Sequence, residues 1–598
     1  FYVETTGSID FGNNDAILDG DLTNKGDLTS DASATFTGTR VQTLQLLNAI
    51  TSSSTGIINF NGTVSPVLNS TSSPNFATVN INNTSGIVAS SPWNVFFACN
   101  IAAGASFNDG GLTHNFYGNF TNNGDVISSG NLRFSPGTPY SASGTVTLDG
   151  TSFASTGDVT FAGTAPITII DNNPSFTNVV ITNTHSSGVT APSSWSIANT
   201  LQIYNGSIFN GGSSTSHTVS NSILNNGTLN GETSTITFDG VGAQINGVGS
   251  TTFNNITIDA GADLTLNKSI NVNKDLVNDG VFNGLGRKVS FTGSSASAIS
   301  GATGSITFGE LEQNKTSSTT TLSIPVSIID SLYMNNGIIL TDNTNLLILN
   351  NDAKSSTGKN TSFVDGPMKK IGDDAFVFPI GNGAKWARLG INAPSATTDA
   401  FIAQYYDTYY TDTSTMAVSP SPVLNNVSRN EYWTCDRATG SSNITVQLFW
   451  ENAAESGITD YTSDLVVAYW NGSAWENAGQ SAITASNPGD VTSNTVSSFN
   501  TFTFGSLSAG INSLPIELLS FNAKLKDETV ELKWETTTEI NNDYFTIEKS
   551  TDGATYEVIE TVKGAGNSSV NHVYKTFDLN PSEGVSYYRL KQTDFNGT

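Results

Sequence analysis

Aromatic side chains that could stack on sugar rings gather in the second half of the chain. Tyrosine occurs there as two adjacent pairs, Tyr405-Tyr406 and Tyr409-Tyr410, and Trp475 lies further along. Exposed Tyr and Trp rings bind carbohydrate because their flat apolar faces lie well against a pyranose ring. Adjacent residues of a strand face opposite sides of a sheet, so at least one tyrosine of each pair should be exposed. These five residues are the candidate ligand contacts, with packing in a core or at a sheet edge as the alternative.

Histidine, the residue most often used in acid–base and metal chemistry, is scarce in this chain. None of the four histidines is spaced from another as metal ligands or members of a catalytic triad are. We expect each to be an ordinary surface or corner residue. They are His114, His185, His217 and His572.

Carboxylates and basic residues could cleave a polysaccharide, a chemistry that β-helix proteins often carry out as lyases and hydrolases. A lyase needs clustered acids with Ca²⁺ and a Lys or Arg base, whereas a hydrolase needs paired carboxylates. Residues 1–355 contain nine Lys and Arg, and Arg287-Lys288 is their one adjacent pair. The acids, such as Asp275 and Asp279, occur in turn-like sequences where Asp forms corners. We predict no catalytic residue, and polysaccharide degradation is kept as the alternative.

The charge balance narrows the choice of partners. With 51 acidic and 24 basic residues, the formal net charge is −27. Nucleic acid is not expected as a partner, because a polyanion is bound through a footprint of Lys and Arg. The acidic surplus suits an exported protein and leaves weak structural Ca²⁺ binding open. No other cofactor is predicted.

Two cysteines, Cys99 and Cys435, fall in regions that the sequence assigns to different domains. We therefore predict two isolated buried thiols rather than a disulfide. No run of 18 apolar residues is present, so no transmembrane segment is expected. The chain opens inside a strand-like pattern without a signal peptide, and we expect the export signal to be removed or to lie outside this sequence.

Two repeats run through residues 1–355. Short apolar strands separated by Asn-Gly or Asp-Gly corners return at residues 20–28, 118–126, 223–229 and 275–282. A longer repeat of roughly 100 residues relates the set Phe76, Trp93, Phe107 and Asn122 to the set Phe176, Trp195, Phe209 and Asn225.

The short repeat predicts an all-β chain that begins with a parallel β-solenoid (β-helix) over residues 1–355. Its coils of about 20–25 residues would turn alternate apolar side chains inward to stack on the next coil. Around fifteen coils at about 4.8 Å each would extend roughly 70 Å. A string of small antiparallel sandwiches joined by hairpin turns is the alternative. The solenoid is preferred because the repeat is shorter than a sandwich domain and runs without linkers.

Two further domains are predicted after the solenoid. Five of the eight tryptophans fall within residues 356–507, between strands of alternating pattern, which indicates an aromatic-rich β-sandwich. A short linker, residues 508–513, precedes residues 514–598. Their roughly seven short strands and single tryptophan suit a fibronectin- or immunoglobulin-like sandwich.

The final segment resembles the immunoglobulin/fibronectin-like module that precedes the sorting domain in proteins exported by the type IX secretion system of Bacteroidetes. The matching residues are Leu514-Pro515-Ile516-Glu517-Leu518, the strand 530–535 with Trp534, the run 541–550, and Tyr587-Tyr588-Arg589-Leu590 continuing to Gly597. Residues 378–383 and 428–433 are similar to the middle region of large Bacteroidetes surface proteins. The resemblance implies contact with the secretion machinery during export, an extracellular or outer-surface location, and a sorting domain missing after residue 598.

Together these observations predict a cell-surface adhesive or structural protein without catalytic activity. The alternative is a carbohydrate-binding or polysaccharide-degrading β-helix protein. Expected partners are further copies of the chain or surface glycans, because an uncapped solenoid end can stack on another copy.

Overall fold

The computed structural model describes residues 56–508 and 518–594, apart from residues 71–72, 138–139, 151, 420, 537–538 and 569–570, together with short stretches between residues 2 and 46. Every regular element in these residues is a β-strand, so the chain is all-β. The expected all-β class is confirmed. Contacts divide the chain into two units, residues 1–364 and 365–598.

The strands of the first unit are short and closely spaced. They are Tyr2–Val3, Ser8–Asp10, Ala16–Leu18, Leu22–Asn24, Asp27–Thr29, Ser33–Phe36, Thr43–Leu46, Ile57–Phe60, Val67–Ser70, Asn75–Ile81, Ile87–Val88, Asn94–Ile101, Ser106–Asn108, Thr113–Phe116, Asn119–Asn122, Asp125–Ser128, Asn131–Phe134, Gly144–Thr147, Ser152–Phe161, Ile167–Ile170, Ser175–Ile181, Val189–Thr190, Ser196–Ile203, Ile208–Asn210, Ser216–Val219, Ser222–Asn225, Thr228–Asn230, Thr235–Phe238, Ala243–Asn246, Ser250–Phe253, Asn255–Ile258, Asp263–Leu266, Ile270–Val272, Leu276–Asn278, Val281–Phe291, Ser297–Ser300, Ile306–Leu322, Val326–Leu340, Leu347–Leu349 and Lys354–Ser355.

These strands pair in parallel with strands about one coil further along the chain. Val79 pairs with Cys99, Cys99 with Phe120, Phe120 with Val146 and Val146 with Ile169. All five side chains are buried, so they form one column of the core. The unit is a β-solenoid of about 15 turns. Parallel pairing confirms the solenoid and excludes antiparallel hairpin sandwiches in these residues.

The longer repeat is also visible in the core. Trp93 lies 5.2 Å from Phe76 and 5.1 Å from Phe107, measured between ring centroids. Trp195 lies 5.2 Å from Phe176 and 5.7 Å from Phe209. The two sets therefore occupy equivalent positions in two successive stretches of the solenoid, here called the first copy (residues 75–147) and the second copy (residues 175–246).

The strands after the solenoid pair mainly in antiparallel fashion. They are Val364–Asp365, Met368–Ile371, Phe376–Phe378, Ile380–Asn382, Lys385–Trp386, Leu389–Ile391, Ala400–Tyr406, Asn426–Val427, Tyr432–Thr439, Val446–Trp450, Leu465–Trp470, Trp475–Gly479, Ala482–Thr484, Gly489–Thr492, Asn500–Ser506, Leu518–Lys526, Thr529–Thr536, Glu539–Ser550, Glu557–Ser568, His572–Asp578 and Tyr587–Asp594.

The strands between residues 368 and 506 form the aromatic-rich sandwich. Five of them make one antiparallel sheet, in the order 376–378, 389–391, 446–450, 489–492 and 482–484. A second set pairs strand 400–406 with 432–439, and strand 500–506 with 465–470. Trp433 and Trp450 are buried, each with its ring within 6 Å of Phe504. Both tryptophans are therefore core residues of the sandwich.

Residues 518–594 form two three-stranded antiparallel sheets. Trp534 is fully buried, 5.5 Å from Phe545 and 5.4 Å from Tyr574. The sandwich built around one tryptophan is thus present. Residues 514–517 and 595–598, which carry part of the resemblance, lie outside the described residues.

Cys99 and Cys435 are both free and buried, which confirms their prediction. Burial raises the pKa of the Cys99 thiol to about 12, so the group is an unreactive thiol at neutral pH. Nowhere in the described ranges is there a helix long and apolar enough to cross a membrane.

Candidate functional site

Two of the five candidate sugar contacts lie inside the sandwich. Tyr405 is 0 % exposed, and its hydroxyl donates a hydrogen bond of 2.8 Å to Glu431. Trp475 is also 0 % exposed, and its indole N–H donates to the Asp412 carbonyl at 2.6 Å. A buried ring has no face to offer a ligand. Tyr405 and Trp475 are therefore corrected from candidate ligand contacts to core residues.

The other three tyrosines differ in exposure. Tyr406 is half-buried and stacks on Tyr432, with 4.5 Å between ring centroids. Tyr410 is also half-buried and packs against Trp470 and Trp475. Tyr409 is 53 % exposed, in a loop after the strand, where strand alternation does not apply. Carbohydrate stacking stays a prediction for Tyr406, Tyr409 and Tyr410, of which Tyr409 is the most open.

Glu431 is a buried acid beside Tyr405. Burial raises the pKa of Glu431, against the opposing effect of the hydrogen bond from Tyr405. Lys385 forms an ion pair of 2.8 Å with Asp407, and although burial alone would lower the pKa of Lys385, this hydrogen bond raises it overall. Lys385 is therefore a charged partner of Asp407 rather than a free base. The hydrogen bond from Tyr405 thus holds the end of strand 400–406 against Glu431.

Two histidines are core residues of the solenoid, which corrects their assignment to the surface or to corners. The Trp93 amide donates to Nδ1 of His114 at 3.1 Å, and Nε2 of His114 lies 2.9 Å from the Asp109 carbonyl. His217 repeats this arrangement with the Trp195 amide at 3.1 Å and the Gly211 carbonyl at 2.6 Å.

These contacts fix the protonation of both rings. An amide N–H must point at an unprotonated Nδ1, and a carbonyl must receive the proton on Nε2, so both rings are neutral. Burial lowers the pKa of both histidines. Their spacing of one long repeat was the sequence signal that could have placed them in the core.

The solenoid also carries a charged cluster on its outer face. Glu312 lies 2.8 Å from Lys288 and accepts hydrogen bonds of 2.6 Å from both Ser290 and Asn335. Burial alone would raise the pKa of Glu312, but these contacts lower it overall. Glu312 is thus held ionised as an acceptor, which joins three successive coils and does not suit a proton donor for glycoside cleavage. In the described part of the chain, no group of three or more His, Cys, Asp or Glu could hold a metal ion.

Amide side chains form regular columns along the outside of the solenoid. Within each column, every asparagine after the first residue donates from Nδ2 to the side-chain oxygen of the column residue one coil earlier, at 2.6–3.0 Å. An amide bonded in this way uses one of its two N–H groups in the column, so the second N–H is left for other partners. The first column is Asn59, Asn80 and Asn100, the second is Asn75, Asn94 and Asn115, and the third is Asp158, Asn178, Asn199 and Asn221.

The amide columns are the candidate functional surface. They present largely uncharged donors and acceptors at the coil spacing of about 4.8 Å. Such a surface suits many weak, repeated hydrogen bonds to a lateral partner. Sequence reasoning assigned Asn to the corners and missed these columns, although the spacing of Asn59, Asn80 and Asn100 carried the signal. Searches against protein-family models, curated proteins and solved structures gave no match.

Proposed function

We propose that this chain is an exported cell-surface or extracellular protein with an adhesive or structural role and no catalytic activity. The observation that carries the proposal is the solenoid of about 15 turns, with its columns of outward amides. A stack of coils is stiff, and its repeated side face allows many contacts in parallel. Export by a type IX system rests on the resemblance of residues 514–598.

The alternative is a carbohydrate-binding or polysaccharide-degrading β-helix protein. Binding is favoured by aromatic rings that lie on the outside of the first copy, around Phe96 and Tyr140. Degradation needs two carboxylates kept in different protonation states beside a groove. Glu312, the acid of the charged solenoid cluster, is held ionised by its partners.

Attachment of the producing cells tests the adhesive role. A strain that lacks the gene should attach less to glass and to neighbouring cells, and the intact gene should restore attachment. A matched control strain would carry Val248→Ala, a change at an exposed side chain that is not part of the amide columns. Full attachment by the deletion strain would count against the adhesive role.

A further inference from the structure

Both copies of the long repeat bulge at the same place. In the first copy, Phe96 and Phe97 lie opposite a single residue of the neighbouring coil. In the second copy, Ala198 and Asn199 occupy the equivalent bulge. A bulge of this kind re-aims side chains and is frequent next to functional sites. The two copies therefore share a backbone but show different side chains to solvent.

One ring of the first bulge, that of Phe96, belongs to an aromatic cluster on the surface, and Phe97 is its neighbour in the chain. Phe96 stacks on Tyr140 with 4.4 Å between ring centroids, and both contact Tyr117, at 5.5 and 5.2 Å. Phe97 is 37 % exposed and Tyr140 is 40 % exposed. Phe96, Phe97, Tyr117 and Tyr140, here called the aromatic platform, thus keep apolar surface open to solvent.

A longer loop brings Tyr140 to the platform. The strands Asn131–Phe134 and Gly144–Thr147 of the first copy are joined by residues 135–143, whereas the equivalent strands of the second copy are joined by residues 239–242. Insertions in one repeat of a solenoid commonly lie on its binding face.

A polar column runs beside the aromatic platform. Asn94 donates to Asn75 and Asn115 donates to Asn94, each at 2.9 Å, and Arg133 is the next residue in register. Phe96 follows Asn94 by two residues and Tyr117 follows Asn115 by two, so the chain itself keeps the platform close to the polar column. The second copy has only hydroxyls at these positions, namely Ser175, Ser196, Thr218 and Thr237.

Arg133 is an unusual residue in its surroundings. It is the single basic residue between Arg40 and Lys268, and no acidic residue occurs between Asp31 and Asp109. No carboxylate of the described residues lies within ion-pair distance of its guanidinium. Its five N–H donors can therefore bind an external anion, and guanidinium fits a carboxylate in bidentate fashion.

The solenoid does not need these side chains in order to fold. The second copy makes the same parallel pairings with Ala198 and Asn199 in the bulge. The second copy also carries amides, at Asn178, Asn199 and Asn221, but only the first copy combines amides with stacked surface rings and an arginine. These are the three groups that recognise an acidic sugar. The ring binds the pyranose face, the amides bind hydroxyls and the guanidinium binds the carboxylate.

We propose that the aromatic platform, with Asn94, Asn115 and Arg133, binds an acidic polysaccharide built from uronic acids. This inference rests on the proposed function, because a protein outside the cell is the one that would meet such a polysaccharide. The chain's net charge of −27 repels a polyanion. Physiological salt screens such repulsion beyond about 8 Å, whereas the contact with Arg133 is direct.

Gel electrophoresis of the purified protein through polygalacturonate or alginate tests the site, with neutral laminarin as the reference polymer. The uronate polymers should retard the wild-type protein more than laminarin does. The double variant Phe96→Ala/Phe97→Asn, which installs the second copy's own residues, should lower the affinity about tenfold. Tyr140→Ala should act similarly, and Arg133→Thr should remove the preference for uronates.

Tyr204→Ala is the matched control, because Tyr204 is an exposed solenoid tyrosine in the second copy. It should bind as the wild type does, and thermal unfolding should be unchanged in all variants. Absence of retardation by both uronate polymers, or equal retardation of the wild type, the double variant and Tyr140→Ala, would overturn the proposal. The assay uses purified protein, so its failure is distinguishable from a failure of the surface role.

Discussion

At the scale of single residues, buried histidines join neighbouring coils within each copy. His114 and His217 each accept a hydrogen bond from a tryptophan amide at 3.1 Å, which only a neutral Nδ1 can do. Burial lowers the pKa of both rings from an ordinary value of 6.5. The unfolded chain therefore binds more protons than the folded one between that value and the lower folded pKa.

This difference makes the solenoid sensitive to mild acid. Its stability should be fully present above about pH 6.5 and should fall as the pH drops below that value, because the unfolded histidines take up protons first. Thermal unfolding followed by circular dichroism between pH 7 and pH 5 measures the fall. The double variant His114→Gln/His217→Gln should show a smaller decrease in the unfolding temperature across this range.

His185→Gln is the control, because His185 is half-buried and contacts Ser187 rather than a tryptophan amide. That variant should keep the decrease seen in the wild type. If the double variant loses as much stability as the wild type between pH 7 and pH 5, the two buried histidines do not cause the effect.

At the scale of elements, Lys315 joins the coils near the end of the solenoid. Its ammonium is buried and donates to the carbonyls of Asn273 and Thr292 and to the hydroxyl of Ser297, at 2.7–2.8 Å. Burial lowers the pKa of Lys315 to about 8, against the raising effect of Asp275. Three acceptors in neighbouring coils thus depend on one donor group.

Lys315→Met should open these coils, because it leaves the three acceptors buried without a donor. A loss of roughly 3 kcal/mol is expected for these charge-assisted hydrogen bonds. Hydrogen exchange of peptides that span residues 268–322 should accelerate about a hundredfold. Lys274→Met, at a side chain 48 % exposed, is the control and should change exchange little. Unchanged protection in Lys315→Met would mean that the ammonium does not stabilise the coils.

Local sequence patterns predicted the solenoid but not its irregular elements. Corner Asn and Gly recur at the length of a coil, and alternate apolar residues mark its inner face, so the solenoid followed from local patterns. The bulge at Phe96 and Phe97 could not be predicted in this way, because it depends on the register between coils. Alternation predicted that at least one of Tyr405 and Tyr406 would be exposed, but it could not say which, and Tyr405 is the buried one, against Trp433 and Glu431.

At the scale of the whole molecule, each unit has a distinct surface. The solenoid shows amide columns and one aromatic platform, and the second unit buries large aromatic residues such as Trp433, Trp450 and Trp534 in sandwich cores. We propose that such a chain works outside the cell, where its repeated outward groups can contact other copies or glycans. The strands 518–526 to 587–594 would accompany the protein through a type IX system.

Protease treatment of intact producing cells tests this central claim most directly. An antibody raised against the solenoid should label intact cells, and external protease should remove the label when the type IX system works. With that system inactivated, the antibody should detect the protein only after the outer membrane is opened. Equal labelling of intact cells with and without a working system would contradict export by this route. Labelling only after lysis in both strains would contradict the surface location itself.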